Sequence, residues 1–174
     1  VSLGRRVDLP GHEGTARVAT TRICQNNLLR SNIHHLYPAH KGLENALEAT
    51  KRGGVVVWLA ECPDGHGDEV FCDWMTKFRD PKEMETEIKR HFKLGGHKAY
   101  YLIRALQRVQ IILVSTLPDY HAVGTFRLRT ARALNDALRD AFDIAGKDAR
   151  VWVMPRGNST LPVIKALEHP IQNP

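Results

Sequence analysis

The 174-residue chain is 43% hydrophobic, 25% charged and 7% aromatic, enough apolar material for the core of one ordinary domain. Its longest strongly apolar run, Val55 to Ala60, is far shorter than the ~20 residues of a membrane helix, and no basic-then-apolar leader opens it, so a cytoplasmic protein without a membrane partner is expected. Lys and Arg outnumber Asp and Glu by 25 to 19, but acids are interleaved with the bases and no recognised binding motif accompanies them, so no nucleic-acid partner is expected.

In chain order, residues 1–35 show no clean period and carry three arginines before position 20 and a polar cluster at Gln25-Asn26-Asn27. They are expected to be irregular, or to belong with a neighbouring domain, apart from a weak strand pattern near Arg17 to Ile23. Ala39, Leu43, Ala46, Leu47 and Thr50 recur at helical spacing and stop at Gly53-Gly54, which reads as a helix terminator. Val55 to Leu59 is a short β-branched run, the pattern of a strand buried on both faces. A polar loop from Glu61 to Gly67 leads into a helix with Val70, Phe71, Trp74, Met75 and Phe78 on one side. Asp80-Pro81-Lys82-Glu83 reads as N-cap, N1 proline and N3 acid of the next helix. After Gly95-Gly96, the stripe Tyr101, Leu102, Ala105, Leu106 and Val109 predicts another helix, followed by a strand at Ile111 to Val114. A loop from Thr116 to Gly124, an amphipathic helix ending at Gly146 and a strand at Val151 to Met154 complete the pattern. Arg127, Arg129 and Arg132 are the densest basic stretch, at the front of that helix.

Helices alternating with short, fully apolar strands predict an α/β three-layer sandwich with a mainly parallel sheet and helices on both faces. In such sheets ligands bind beyond the carboxyl ends of the strands. The polar loops Glu61 to Asp68, Ser115 to Gly124 and Pro155 to Thr160 all fall there. Glu61, Asp64, His66 and Asp68 are candidate acids or bases, with N-capping the simpler role for Asp68. Cys62 and His66 are two donors, too few for a metal site. His34 and His35 are adjacent, so their side chains diverge on an extended chain. The three cysteines, Cys24, Cys62 and Cys72, are odd in number and lack C-x-x-C spacing, which argues against a disulfide framework or a four-cysteine zinc site. No metal ligand set is read from the sequence. His97-Lys98 at a helix start, and Lys41 one turn into its helix, suit a carboxylate or phosphate. Walker A, G-x-G-x-x-G, G-x-S-x-G and H-E-x-x-H motifs are absent.

Leu36-Tyr37-Pro38-Ala39-His40-Lys41-Gly42-Leu43-Glu44-Asn45-Ala46 resembles the C-terminal half of the nickel-dependent lactate racemase family. The likeness continues through Gly53-Gly54-Val55-Val56-Val57, Ala60-Glu61-Cys62, Gly65, Gly67 and Glu69-Val70-Phe71. It resumes at Gly95-Gly96-His97-Lys98-Ala99, Val114-Ser115 and Val153-Met154-Pro155, with Gly157, Ser159, Thr160, Leu161 and Pro162. It spans roughly residues 36–162, and divides the chain into an N-terminal segment, 1–35, and a racemase-like domain, 36–174.

The resemblance implies a two-domain isomerase acting on 2-hydroxy acids, with its site in the cleft between halves. The implied cofactor is a nickel pincer nucleotide, a pyridinium-3,5-dithiocarboxylate mononucleotide that takes a hydride from C2 of the substrate and returns it to either face. In the family its lysine tether, nickel histidine and catalytic histidine pair come from the N-terminal half, and none of those motifs occurs in these 174 residues. The chain on its own is therefore expected to bind the cofactor weakly and to be inactive, while supplying substrate contacts from Lys41, His97, Lys98, Glu61 and His66. Lys41 matches the family's substrate lysine. The family glutamine three residues before it is Pro38 here, and the usual glycine-rich approach is replaced by Ser31-Asn32-Ile33-His34-His35. A non-catalytic anion-binding or protein-interaction domain that keeps the fold is the alternative. The expected partners are a small 2-hydroxy acid, an N-terminal catalytic domain and, because the cleft-facing surface would otherwise be exposed, a second copy in a homodimer.

Overall fold

The computed structural model describes residues 5–9, 16–22 and 34–164. Five parallel strands form the central sheet: β2 (Ala16–Arg22), β3 (Thr50–Leu59), β4 (Gln110–Val114), β5 (Arg129–Ala131) and β6 (Val151–Met154), in the order β5-β4-β3-β2-β6. The register pairs Val56 with Ala19 and Ile111, and Thr20 with Val153. A second, two-stranded parallel sheet joins β1 (Arg5–Leu9) to β7 (Thr160–Ile164).

The two-residue period of the strands divides the core. Ala19, Val56, Trp58, Ile111 and Leu113 face one cluster, which also takes in α1 (Leu36–Glu48), α2 (Glu69–Lys77), α3 (Pro81–Arg90) and α4 (Gly96–Arg108). Val18, Val55, Val57 and Ile112 face the other, where α5 (Leu134–Ala145) buries Ala137, Ala141 and Ala145. Both faces of the sheet are therefore covered, as the continuous apolar runs predict, and the fold is the three-layer α/β arrangement expected. Right-handed crossovers explain the layering: the chain steps β2, β3, β4, β5 in one direction with helices on one face, then returns past β2 to β6 with α5 on the other.

Several details differ from the sequence reading. The helix α1 ends at Ala49, and Gly53-Gly54 lies within β3. The glycines serve an irregularity in the β2–β3 register, where a Cβ on Gly54 would come within 2.6 Å of the Arg17 carbonyl. The N-terminal segment supplies two strands: β2 is the inner strand between β3 and β6, and β1 pairs with β7. Residues 23–33, with the polar cluster at Gln25-Asn26-Asn27, lie outside the described residues. Arg127 belongs to no helix. Its backbone is left-handed, φ 58°, and its guanidinium donates to the Met75 and Phe78 carbonyls at the end of α2. Arg129 opens the short edge strand β5, so part of the basic stretch has structural work to do. The stretch expected as a loop contains a π-helical turn, Tyr120–Thr125. Among the described residues no helix is long and apolar enough to cross a membrane.

Candidate functional site

The start of α1 is held against two strand-end loops. Leu36 and Tyr37 donate their amides to the Gly65 and His66 carbonyls of the loop after β3, at 3.0 Å each. On its other side, Asn45 Nδ2 donates to the Gly157 carbonyl at 2.7 Å and Asn158 Nδ2 to the Pro38 carbonyl at 3.5 Å. Gly157 is required there, because a Cβ would fall on the Thr21 hydroxyl of β2. Pro38 costs the helix nothing, since it occupies the first turn, where backbone N–H groups lack intrahelical partners.

One turn on, α1 carries a side-chain cluster. His40 is fully buried, with its ring edge-on to Trp58 and Phe71 at centroid distances of 6.4 and 6.3 Å. Its Nδ1 lies 3.0 Å from Glu44 Oε1, and its Nε2 is buried without a hydrogen-bond partner. Burial pushes the imidazole below its ordinary pKa in spite of Glu44, so the pair is a neutral ring donating to a carboxylate and not an ion pair. Burial pushes the Glu44 carboxyl up, but the hydrogen bonds from His40 and Lys41 and the Lys41 ammonium outweigh it and bring it down to about 2. Lys41 Nζ, on an exposed side chain, donates to Glu44 Oε2 at 3.1 Å.

The N-terminus of α4 meets this cluster. Gly95 caps it with φ 99°, and a Cβ on Gly96 would approach the Trp74 indole to 2.8 Å, so the two glycines allow α4 to start directly against α2. Lys98 Nζ donates to the Tyr37 carbonyl at 2.9 Å and lies 4.6 Å from the Tyr37 ring centroid. Burial lowers its pKa, Glu44 and Asp68 oppose that, and Lys41 adds to it. His97 stacks on Phe92 at 6.1 Å and meets Tyr101 edge-on at 6.5 Å, with its Nδ1 buried and unpartnered. Phe92, Leu94 and Tyr101 form an exposed apolar rim, with 65%, 67% and 49% of their surfaces open.

The structure thus brings Lys41, His97 and Lys98 together around His40 and Glu44. Glu61 and His66 sit elsewhere on the same sheet edge. Glu61 is exposed, and its carbonyl accepts from the Thr116 amide and from the Ser115 and Thr116 hydroxyls, tying the loops after β3 and β4 together. His66 faces His121, with centroids 5.1 Å apart, and Phe126. Asp68 is the N-cap of α2, accepting from the Phe71 amide at 2.7 Å. Cys62, buried with φ 53°, has its thiol raised to about 11 chiefly by burial, which makes it inert. Sequence reasoning passed over His40 and Glu44 as site residues, although their i, i+4 spacing on an amphipathic helix was the available signal. Cys72 and His121 were missed as neighbours of His66, because no fixed spacing encodes a contact between loops.

A parallel α/β domain that brings polar loops and helix N-termini together at the carboxyl edge of its sheet has the layout of the open-sheet α/β class. Residues 29–162 match the lactate racemase C-terminal domain, and the chain belongs to that family. It is 32% identical over 131 residues to a lactate racemase of Thermoanaerobacterium thermosaccharolyticum, covering 73% of this chain and 31% of that protein. A Lactiplantibacillus plantarum lactate racemase is 30% identical over 127 residues, with 71% and 30% covered. The chain thus spans about a third of the length of these curated relatives. The structure of the T. thermosaccharolyticum lactate racemase apoprotein superposes with a TM-score of 0.74 at 28% identity, over 88% of this chain and 36% of that one. A Thermotoga maritima protein shares the fold alone, at TM-score 0.55 and 15% identity, over 92% and 39%.

Proposed function

We propose that this chain is the substrate-binding wall of a nickel-pincer-dependent 2-hydroxyacid racemase or epimerase that works in the cytoplasm. The observation that carries the reading is the Lys41–Glu44–His40 cluster with Lys98 against it: the lysine matching the family's substrate lysine is exposed, oriented by a carboxylate, and beside a second ammonium. Free thiols at Cys62 and Cys72 suit a reducing compartment.

The chain's own residues would hold a 2-hydroxy acid by its carboxylate. Lys41 uses one N–H on Glu44 and has two left for an anion. Two ammoniums, Lys41 and Lys98, are nearly balanced by Glu44 and Asp68, so the cluster attracts a carboxylate weakly until a partner surface adds charge. The exposed rim of Phe92, Leu94 and Tyr101 beside His97 is what such a partner, a catalytic domain or a second copy, would cover.

The lysine cluster does not fit the pincer cofactor itself. A tethered cofactor needs a lysine amine free for acylation, and Lys98 and Lys41, the two in this cluster, are engaged by the Tyr37 carbonyl and by Glu44. The cofactor would therefore be held by another domain. When bound there it supplies hydride storage, and this chain contributes substrate orientation only.

Saturation-transfer NMR with lactate tests the reading. Weak, saturable transfer to both enantiomers is expected, reduced about tenfold in affinity by Lys41→Ala, with no D/L interconversion detected by chiral chromatography. Affinity unchanged by Lys41→Ala, or racemisation by these 174 residues alone, would refute it.

A further inference from the structure

We propose that His66, Cys72 and His121 form a binding site for one zinc-class divalent cation. This site is separate from the lysine cluster, and the proposal does not depend on the racemase reading. Each residue offers a ligand atom, and the three atoms lie within 4.8 Å of one another. They come from three elements that meet at the carboxyl edge of the sheet: the loop after β3, the first turn of α2, and the π-helical turn after β4.

Two further observations point to a ligand. The Nδ1 atoms of His66 and His121 are both buried and make no hydrogen bond, although buried polar nitrogens are almost always partnered. The two rings also meet at 66° with centroids 5.1 Å apart, an arrangement in which neither ring hydrogen-bonds the other. A tetrahedral ion with bonds of about 2.0–2.3 Å would need ligand atoms roughly 3.3–3.6 Å apart. The cluster must therefore contract by at most about 1.5 Å, within reach of side-chain rotation at three half-buried residues.

The chemistry of the donors selects the ion. Two imidazoles and a thiolate are a borderline-soft set that suits Zn²⁺ and its neighbours and discriminates against Ca²⁺ and Mg²⁺, which take oxygen ligands. Cys72 binds as the thiolate, so metal binding releases its proton. Three protein ligands leave the fourth position to water.

The test is a cobalt titration of the untagged chain after chelator treatment. One equivalent should produce a thiolate-to-cobalt charge-transfer band and the intense visible bands of tetrahedral Co²⁺, and Zn²⁺ should abolish both. Cys72→Ser should remove the charge-transfer band, and His121→Ala should weaken binding at least tenfold. Replacing the exposed His34 and His91 with alanine should change neither. Zn²⁺ should also raise the Tm of the native chain but not that of Cys72→Ser. If Cys72→Ser fails to fold by circular dichroism, His66→Asn takes its place. Only weak octahedral spectra at saturating cobalt, a charge-transfer band that survives in Cys72→Ser, or a Tm indifferent to Zn²⁺ would each overturn the proposal.

Discussion

Two clusters at the carboxyl edge of one sheet show opposite ways of keeping polar groups in a protein. Around α1 a chain of hydrogen bonds ties the polar groups together, His40 Nδ1 to Glu44, Lys41 to Glu44 and Lys98 to the Tyr37 carbonyl, with His40 Nε2 and His97 Nδ1 buried and left over. Around the π-helical turn, His66 and His121 keep ring nitrogens buried with no partner. The first cluster stitches α1 to α4. The second has spent little of its polar capacity on the fold. Stability should therefore depend on the first, and an added ligand should matter more to the second.

The largest expected effect is at His40. Replacement by Ala deletes a fully buried ring packed on Trp58 and Phe71 and leaves Glu44 without its buried donor, at a cost of about 2–4 kcal/mol in urea unfolding. A cost below 1 kcal/mol would mean that the cluster does not organise α1. Gly96→Ala should follow at about 1–3 kcal/mol, because the added methyl meets the Trp74 indole.

Acid should unravel the first cluster in a definite order. The folded pKa of His40 lies below 6.5, so its contribution is present above pH 6.5 and is lost as pH falls through that depressed value. Glu44, near 2 in the fold against 4.5, contributes above pH 4.5 and loses its contribution as pH falls from there toward 2. Stability should thus decline from pH 6.5 downward, and Glu44→Gln should flatten the part below 4.5. An unchanged acid limb in Glu44→Gln would show that this carboxylate is not coupled to folding.

Smaller effects belong to exposed or loosely tied residues. Lys41→Ala should change unfolding free energy by less than ~0.5 kcal/mol, since an exposed i, i+3 pair adds little, while still impairing anion binding. Sedimentation equilibrium at tens of micromolar should show self-association, weakened by Leu94→Ser in the exposed rim. A strict monomer near 20 kDa would remove that proposal.

The legibility of the fold follows the physics of each element. Strands buried on both faces, such as Val55 to Leu59, announce themselves as unbroken apolar runs, and Asp68 and Asp80 cap their helices as read. β2 was faint, because its Arg17 and two threonines interrupt the apolar signal while neighbours on both sides supply its burial. Gly53-Gly54 misled because a glycine pair serves a register irregularity as well as a helix end. In the candidate site, the positions of Lys41, His97 and Lys98 in the early turns of their helices were legible. The buried His40 and Glu44 were not, since a histidine flanked by apolar residues does not reveal its partner. The His66–Cys72–His121 contact depends on how two loops and a helix fold back, which local spacing does not encode.

The most direct test of the central claim, that Lys41 and Lys98 form one carboxylate-binding cluster, is a residue-resolved ¹⁵N NMR titration of the chain with lactate. The account predicts saturable shifts confined to the first two turns of α1 and to Gly95 through Lys98, with the affinity weakened about tenfold in Lys41→Ala. Shifts centred instead on the loop after β4, or none at any concentration, would contradict it.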